Sequence, residues 1–300
     1  GAVSAGGLLA AIITPFLGPL VDKHGARGIL CIAVFLTALC SILLSQTTSL
    51  IMFYILFCLA RMNFAGPFDL GIYTAVNSWF ITKRPTAISI VTLVQMSGLT
   101  AMPLIAFIAM DQSDWRTGWL TIGIVIISVG FIPNLLFMCR RPEDIGLYPD
   151  GSQYNVHKHS NNKDSSTEPN FTRSQAISKP SFWLLALFTA LVFPVQAGIS
   201  LHQAPHLIER GLSPAIAALV VSCFSLISGL SALLYGYTIR RLGVKANLAF
   251  TGSTLAFGIY LMLITNDTNL AFLAAILFGI GIGGILCILP IVWADFFGRE

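Results

Sequence analysis

GPLVDKHGAR occupies residues 18–27, and a worn copy of it, GYTIRRLGVK, occupies residues 236–245. Gly18 pairs with Gly236, Lys23 with Arg241, Gly25 with Gly243 and Arg27 with Lys245, all at one offset, while Asp22 changes sign to Arg240. Each copy follows a long apolar run and reads as a short basic loop. A basic turn duplicated between hydrophobic spans predicts a polytopic membrane protein built from two related halves.

The rest of the chain agrees. It is 55% hydrophobic and 10% charged, with a mean hydropathy of +0.80, whereas soluble domains carry about 25% charged residues. The charges are clustered, leaving apolar runs of about 20 residues, the length of a bilayer-crossing helix. The net charge of +4 therefore belongs to loops and is no nucleic-acid signal. Cys31, Cys40, Cys58, Cys139, Cys223 and Cys287 lie in or beside apolar runs with no C-x-x-C pair, and read as small packing residues. There is no cleavable signal peptide; the chain starts at Gly1, ends at FFGRE and reads as an internal fragment.

Nine apolar segments can be marked, at about 2–21, 28–46, 50–72, 86–110, 116–139, 181–203, 214–238, 246–265 and 269–293. In lipid a backbone must satisfy its own hydrogen bonds, so an all-α membrane protein is expected, with interior Gly66-Pro67, Pro103, Pro133 and Pro194 tolerated. Lys23, Arg27, Lys83, Arg84, Arg140, Arg141, Lys158, Lys163, Arg173, Lys179, Arg240, Arg241, Lys245 and Arg299 then all fall on one side. The other side holds Arg116 and Arg210 with the polar loops SQTTS and TNDTN. The basic side is expected to be cytoplasmic, in a cell (plasma or inner) membrane. Trp79, Trp115, Trp119, Trp183 and Trp293 lie near span ends, as an interfacial belt predicts. Residues 140–180, with HKHSNNKDSSTEPN, read as a cytoplasmic linker between half-bundles 1–139 and 181–300. Within it, TRSQAIS suggests a short interfacial helix, and NFT at Asn170 fits a glycosylation pattern on the wrong side of the membrane.

The halves match further: Trp79, Phe80 and Arg84 correspond to Trp293, Phe296 and Arg299. The pattern G-x-x-x-D-[RK]-x-G-x-[RK], met by Gly18, Asp22, Lys23, Gly25 and Arg27, resembles the signature loop of the major facilitator superfamily. The likeness covers the whole chain and implies a bundle of two pseudo-symmetric helical halves, family helices 2–6 and 7–10, without the first and last two helices. WFxxxR at 79–84, DWR near Asp114, RPEDIGLYPDG at 141–151 and FWLL at Phe182 resemble the oxalate/formate-antiporter and monocarboxylate-transporter branch. The resemblance implies that the signature loop gates one state of an alternating-access cycle. Asp22 would meet a helix N-terminus or a basic group, and Lys23 and Arg27 acids or lipid phosphates. Gly18 would allow close helix approach and Gly25 a tight turn, with Gly236, Arg240, Arg241 and Gly243 as the second copy. A solvated loop that sets only orientation is the alternative.

Arg61 is the most unusual residue. Eleven positions beyond Leu50, it lies roughly 16 Å down a helix, near the centre of a slab about 30 Å thick. A midplane Arg costs about 2.5–3.5 kcal/mol and should face a cavity or a partner. Its fork of donors suits an anionic substrate; a structural ion pair is the alternative. Asp69, eight residues on, is turned by about 80°, so a local contact is not expected and a role in coupling or inner gating is. Asn63 lies near Arg61 on another face. Gln95 and Gln196 could line a central cavity or make interhelical hydrogen bonds. His202, Gln203 and His206 sit at an outer mouth; Pro205 is expected to break the helix, and no metal site is expected. Gly279 to Gly284, GIGIGG, fits close helix packing and not a phosphate loop.

The expected function is secondary transport of a small organic anion, a carboxylate by the resemblance, as symporter or antiporter with protons or a counter-anion, and with no cofactor. The branch's usual basic residue on family helix eight has no match in 214–238, which leaves export of hydrophobic or drug-like compounds as an alternative. An intramembrane enzyme lacks a coherent catalytic set among Asp69, His202 and His206. The duplicated halves speak against a receptor or sensor.

Overall fold

The computed structural model describes residues 1–111, 113–151, 171 and 173–297, less the side chains of Asp22, His24 and Arg173. These form eight long helices: α1 (Ala2–His24), α2 (Ala26–Ser45), α3 (Leu50–Trp79), α4 (Arg84–Asp111), α5 (Trp115–Phe137), α6 (Pro180–Glu209), α7 (Pro214–Ile264) and α8 (Thr268–Phe297). All eight are long and apolar enough to cross a membrane, and no strand occurs among the described residues. Their outward side chains, such as Phe16, Phe107, Phe137, Leu234 and Leu242, are large, apolar and exposed, as a lipid-facing surface requires. A short helix at Arg173–Ile177 precedes α6, where TRSQAIS suggested one. The remaining linker readings, with Lys158, Lys163 and Asn170, lie outside the described residues, as does Arg299.

Eight helices carry nine apolar segments because α7 runs 51 residues through two of them, broken only at Gly243, with φ 74° and ψ 170°. Gly25, with φ 80° and ψ 167°, turns α1 into α2 in the same way. The two basic motifs are thus not loops, as the sequence suggested. Each is a helix, one glycine and a second helix, because that backbone region is open essentially to glycine alone. Two other boundaries also move. The third span extends to Trp79, and α6 runs through Pro205 to Glu209. Pro205 removes one amide donor, a loss a helix packed in a bundle can absorb. The polar loops prove to be helix caps: Ser49 Oγ accepts from Met52 N at 3.2 Å and Asp267 Oδ1 from Leu270 N at 2.9 Å. Ser49 and Asp267 stand at the offset that relates the two glycines, so the repeat extends to the caps of α3 and α8.

The described residues fall into two compact units, Gly1–Ile81 with Ala101–Lys163, and Thr82–Thr100 with Asp164–Glu300. In the first, α2 packs antiparallel to α5, where Gly123 lies against Ile42 and Ala38 and Gly130 against Val34. Gly71 of α3 also meets α2, at Leu30. Cys40, Leu44 and Leu56 form a small core with Phe53, Phe57 and Trp119 around it.

In the second unit, α8 is gripped by both arms of α7. Gly279 and Gly283 face the first arm at Phe224, Ile227, Ser228 and Ser231; Gly281 and Gly284 face the second at Leu255 and Thr251. The glycine run is therefore a two-sided packing seam. A Cβ at Gly283 would lie 2.1 Å from Ser231 Oγ and 2.2 Å from the Ser228 carbonyl, whereas one at Gly252 meets nothing within 4 Å. Gly283→Ala should cost about 1–3 kcal/mol by overpacking, and Gly252→Ala should gain up to about 1 kcal/mol of helix propensity. Thermal unfolding in detergent checks the opposite signs; equal shifts contradict the seam.

Candidate functional site: an arginine on α3 and two basic corners

Arg61 sits on α3 against Gly6 of α1. A Cβ on Gly6 would fall 2.7 Å from the Cβ of Arg61 and 2.9 Å from its Cγ, so glycine leaves room for the arginine stem. One turn away Cys58 Sγ donates to the Ala2 carbonyl at 3.4 Å. The guanidinium carbon lies 5.7 Å from the Phe64 ring centroid, and Nε is buried with no hydrogen-bond partner. Burying an unpaired donor of a charged group is costly.

The helix then changes register. Residues Phe64–Phe68, FAGPF, form a π-helical segment. Pro67 lacks an amide proton and its ring crowds the preceding turn, which a wider turn relieves. Inserting one residue into a helical turn removes most of the 80° expected between Arg61 and Asp69, leaving about 20°. Both charges therefore share one face, contrary to the sequence expectation of separate faces. Asp69 Oδ1 is also buried without a hydrogen-bond partner, and no hydrogen bond joins the two.

The other predicted residues divide. Asn63 is buried, and its amide nitrogen donates to the Ala33 carbonyl and, at 2.7 Å, to Thr37 Oγ1. Both its protons hold α3 to α2, a packing role. Gln95 keeps a buried, unpartnered Oε1 on α4. Gln196 is half-buried and reaches Ser200 Oγ within its own helix at 3.4 Å. His202 is exposed, so the interior side chain at this end of α6 is its neighbour Gln203: 1% exposed, with neither amide atom hydrogen-bonded. The signal was present, since Gln203 follows Gln196 by seven residues, two turns along one helix face. Nearby, His206 Nε2 lies 3.1 Å from the Met262 carbonyl, and no metal-ligand cluster occurs among the described residues.

At the basic corners, charge serves mainly to cap helices. Arg140 donates to the Lys23 carbonyl at 2.6 Å and lays its stem over Gly25, where a Cβ would sit 2.2 Å from Arg140 Cγ. Arg27 donates to the Leu135 carbonyl at 2.7 Å, near the end of α5; cations suit that end of a helix dipole. Lys23 is exposed, and the side chain of Asp22 lies outside the described residues. In the second copy, Arg240 donates to the Thr82 carbonyl and Arg241 stacks 4.6 Å from the Tyr237 ring. Gly236 is a close contact, its Cβ position 2.6 Å from Ser89 Oγ and 2.9 Å from the Pro85 carbonyl. For Gly18 the expectation of close approach does not hold among the described residues, where a Cβ meets no atom within 4 Å.

Two arginines the sequence left without partners have them. Arg84, 1% exposed, donates to Asp295 Oδ1 at 2.8 Å, joining the start of α4 to the end of α8 inside the second unit. Arg116 donates to the Ser45 and Thr47 carbonyls, both at 3.1 Å, closing the far end of α2. No local spacing could reveal either pair, because each joins segments remote in sequence.

Comparison with known proteins adds the family. The profile of the Major Facilitator Superfamily matches residues 2–300. The membrane sensor protein UhpC of Salmonella typhimurium is 27% identical over 249 residues, covering 77% of this chain and 54% of its own. The chain thus spans about half the length of that curated relative. A bacterial homologue of the iron transporter ferroportin, in its outward-facing state, matches with a TM-score of 0.58 at 17% identity, over 97% of this chain and 74% of its own. That second likeness is one of fold. With the profile matching nearly the whole chain, and with its helices long and apolar enough to cross a bilayer, the chain belongs to the Major Facilitator Superfamily as a multi-pass integral membrane protein.

Proposed function

We propose that the protein is a secondary transporter that moves a small organic anion, a carboxylate, by alternating access, with its basic end cytoplasmic. One observation carries the substrate class: Arg61 stands half-buried on an otherwise apolar stretch of α3, with its Nε buried and unpartnered. A planar fork of donors held there suits a carboxylate, which it can meet with two parallel bonds. A hydrophobic cargo would leave the Nε donor unpaired, so the drug-export reading is the weaker one. The likeness of RPEDIGLYPDG and WFxxxR to the oxalate/formate and monocarboxylate branch points the same way. Equilibrium binding of a panel of mono- and dicarboxylates to the whole purified protein tests the class. Saturable binding of at least one carboxylate is expected, and binding of uncharged analogues with equal affinity contradicts it.

Asp69 is the residue proposed for coupling, as symport or exchange, since the π-helical segment sets it on the Arg61 face. Asp69→Asn should flatten the pH dependence of uptake while leaving anion binding within about threefold, a change below 1 kcal/mol. Uptake by the variant that still varies with pH as in the wild type contradicts this role. A sensor is the second reading, because the relative from Salmonella typhimurium is named a membrane sensor. A sensor would bind the anion without carrying it across.

A further inference from the structure

Between α3 and α4 the chain runs through Phe80, Ile81, Thr82 and Lys83, and three charged residues from elsewhere hold this stretch and its successor. In the first unit, both carboxylate oxygens of Asp150 lie 3.3 Å from the Ile81 amide, which donates to them just past the end of α3. In the second unit, the Thr82 carbonyl accepts from Arg240, and Arg84 is buried against Asp295. The Asp150 contact is the unexpected one. It comes from PDG, residues 149–151, at the close of the RPEDIGLYPDG segment that the sequence placed in a linker.

The backbone at Asp150 shows that the side chain matters there. Its φ is 65° and ψ 8°, and it is the one non-glycine residue with positive φ among those described. Glycine would adopt that left-handed conformation without a Cβ penalty. An aspartate held there supplies what glycine lacks: an anionic acceptor for the Ile81 amide, which lies past the closing bond of α3 from Phe80 N to the Val76 carbonyl. Hydrogen bonds to a charged acceptor are among the stronger ones available to a loop.

We propose that Asp150 is a positioning residue of the transport cycle: its carboxylate clips the linker to Ile81, fixes the approach to Arg84, and so sets the rate at which the basic end opens. The proposal rests on the transport reading above. A positioning role of this kind should change the maximal rate of uptake and not the affinity for the anion.

The test compares Asp150→Gly, which keeps the backbone and removes the acceptor, with Asp150→Asn, which keeps one acceptor oxygen and tolerates the left-handed turn. Both are made in the whole protein. The expected result for the glycine variant is an altered maximal uptake, by about fivefold or more, with KM and equilibrium anion binding unchanged. Hydrogen exchange at the Ile81 amide should be faster in it. The asparagine variant should stay near wild type in all four readouts. Wild-type uptake by Asp150→Gly, an unchanged Ile81 exchange rate, or a parallel loss of anion binding overturns the clip. If the unaltered protein itself moves no anion, the transport reading fails first, and the Ile81 exchange rate alone then decides whether the clip exists.

Discussion

Arg61→Ala is expected to weaken anion binding by about tenfold to a hundredfold, the loss of one charge-assisted contact of about 1.5–3 kcal/mol. Arg61→Lys keeps the charge but not the fork, and should recover only part of the affinity. The ordering wild type, lysine, alanine is the signature of a guanidinium that meets its ligand with two parallel bonds. Isothermal titration against the best carboxylate of the panel reads it directly. Arg61 is also held by packing, since its stem lies against Gly6, so each variant needs its thermal unfolding measured alongside. Affinity unchanged in a folded alanine variant removes Arg61 from the binding site.

Gly25→Ala should be among the most destabilising single changes at either corner. Its backbone, with φ 80° and ψ 167°, lies in a region essentially restricted to glycine, and strain there costs about 1–3 kcal/mol. The new methyl would in addition fall 2.2 Å from Arg140 Cγ and displace the guanidinium that caps the Lys23 carbonyl. Gly243 has nearly the same angles but open space at its Cβ position. Gly243→Ala should therefore show the backbone strain alone. The expected order of melting temperatures in detergent is wild type, Gly243→Ala, then Gly25→Ala. Equal losses would mean that Arg140 contributes nothing to the first corner.

These two glycines also show how far the sequence could be read. Their equal spacing within two related decapeptides was enough to predict a repeat and a membrane protein; the superfamily came from the resemblance of the first decapeptide to a known signature loop. Spacing did not reveal that the turn is a single residue, because nothing in a list of basic residues distinguishes a loop from two abutting helix ends. The π-helical segment was equally hidden. Gly66-Pro67 marked a weak point in α3, but whether a proline kinks a helix or widens one turn depends on what packs around it. Here Gly66 lies against Thr14 and Ala10 of α1, and the wider turn carried Asp69 round to the Arg61 face. Arg84 and Asp295, and Asp150 and Ile81, were beyond reach for another reason. Each pair is brought together by packing between distant segments, and residue type alone cannot choose among many possible partners. Gln203 was within reach, since its seven-residue spacing from Gln196 is a local helix pattern.

The central claim is that a carboxylate is carried across the membrane and not merely detected. Counterflow in proteoliposomes addresses it most directly, with the whole protein reconstituted and labelled carboxylate inside. Adding the same unlabelled anion outside is expected to accelerate efflux of the label, and Arg61→Ala to abolish the acceleration. Saturable binding of the anion with no efflux above protein-free vesicles would contradict it, and would leave a membrane sensor as the better description.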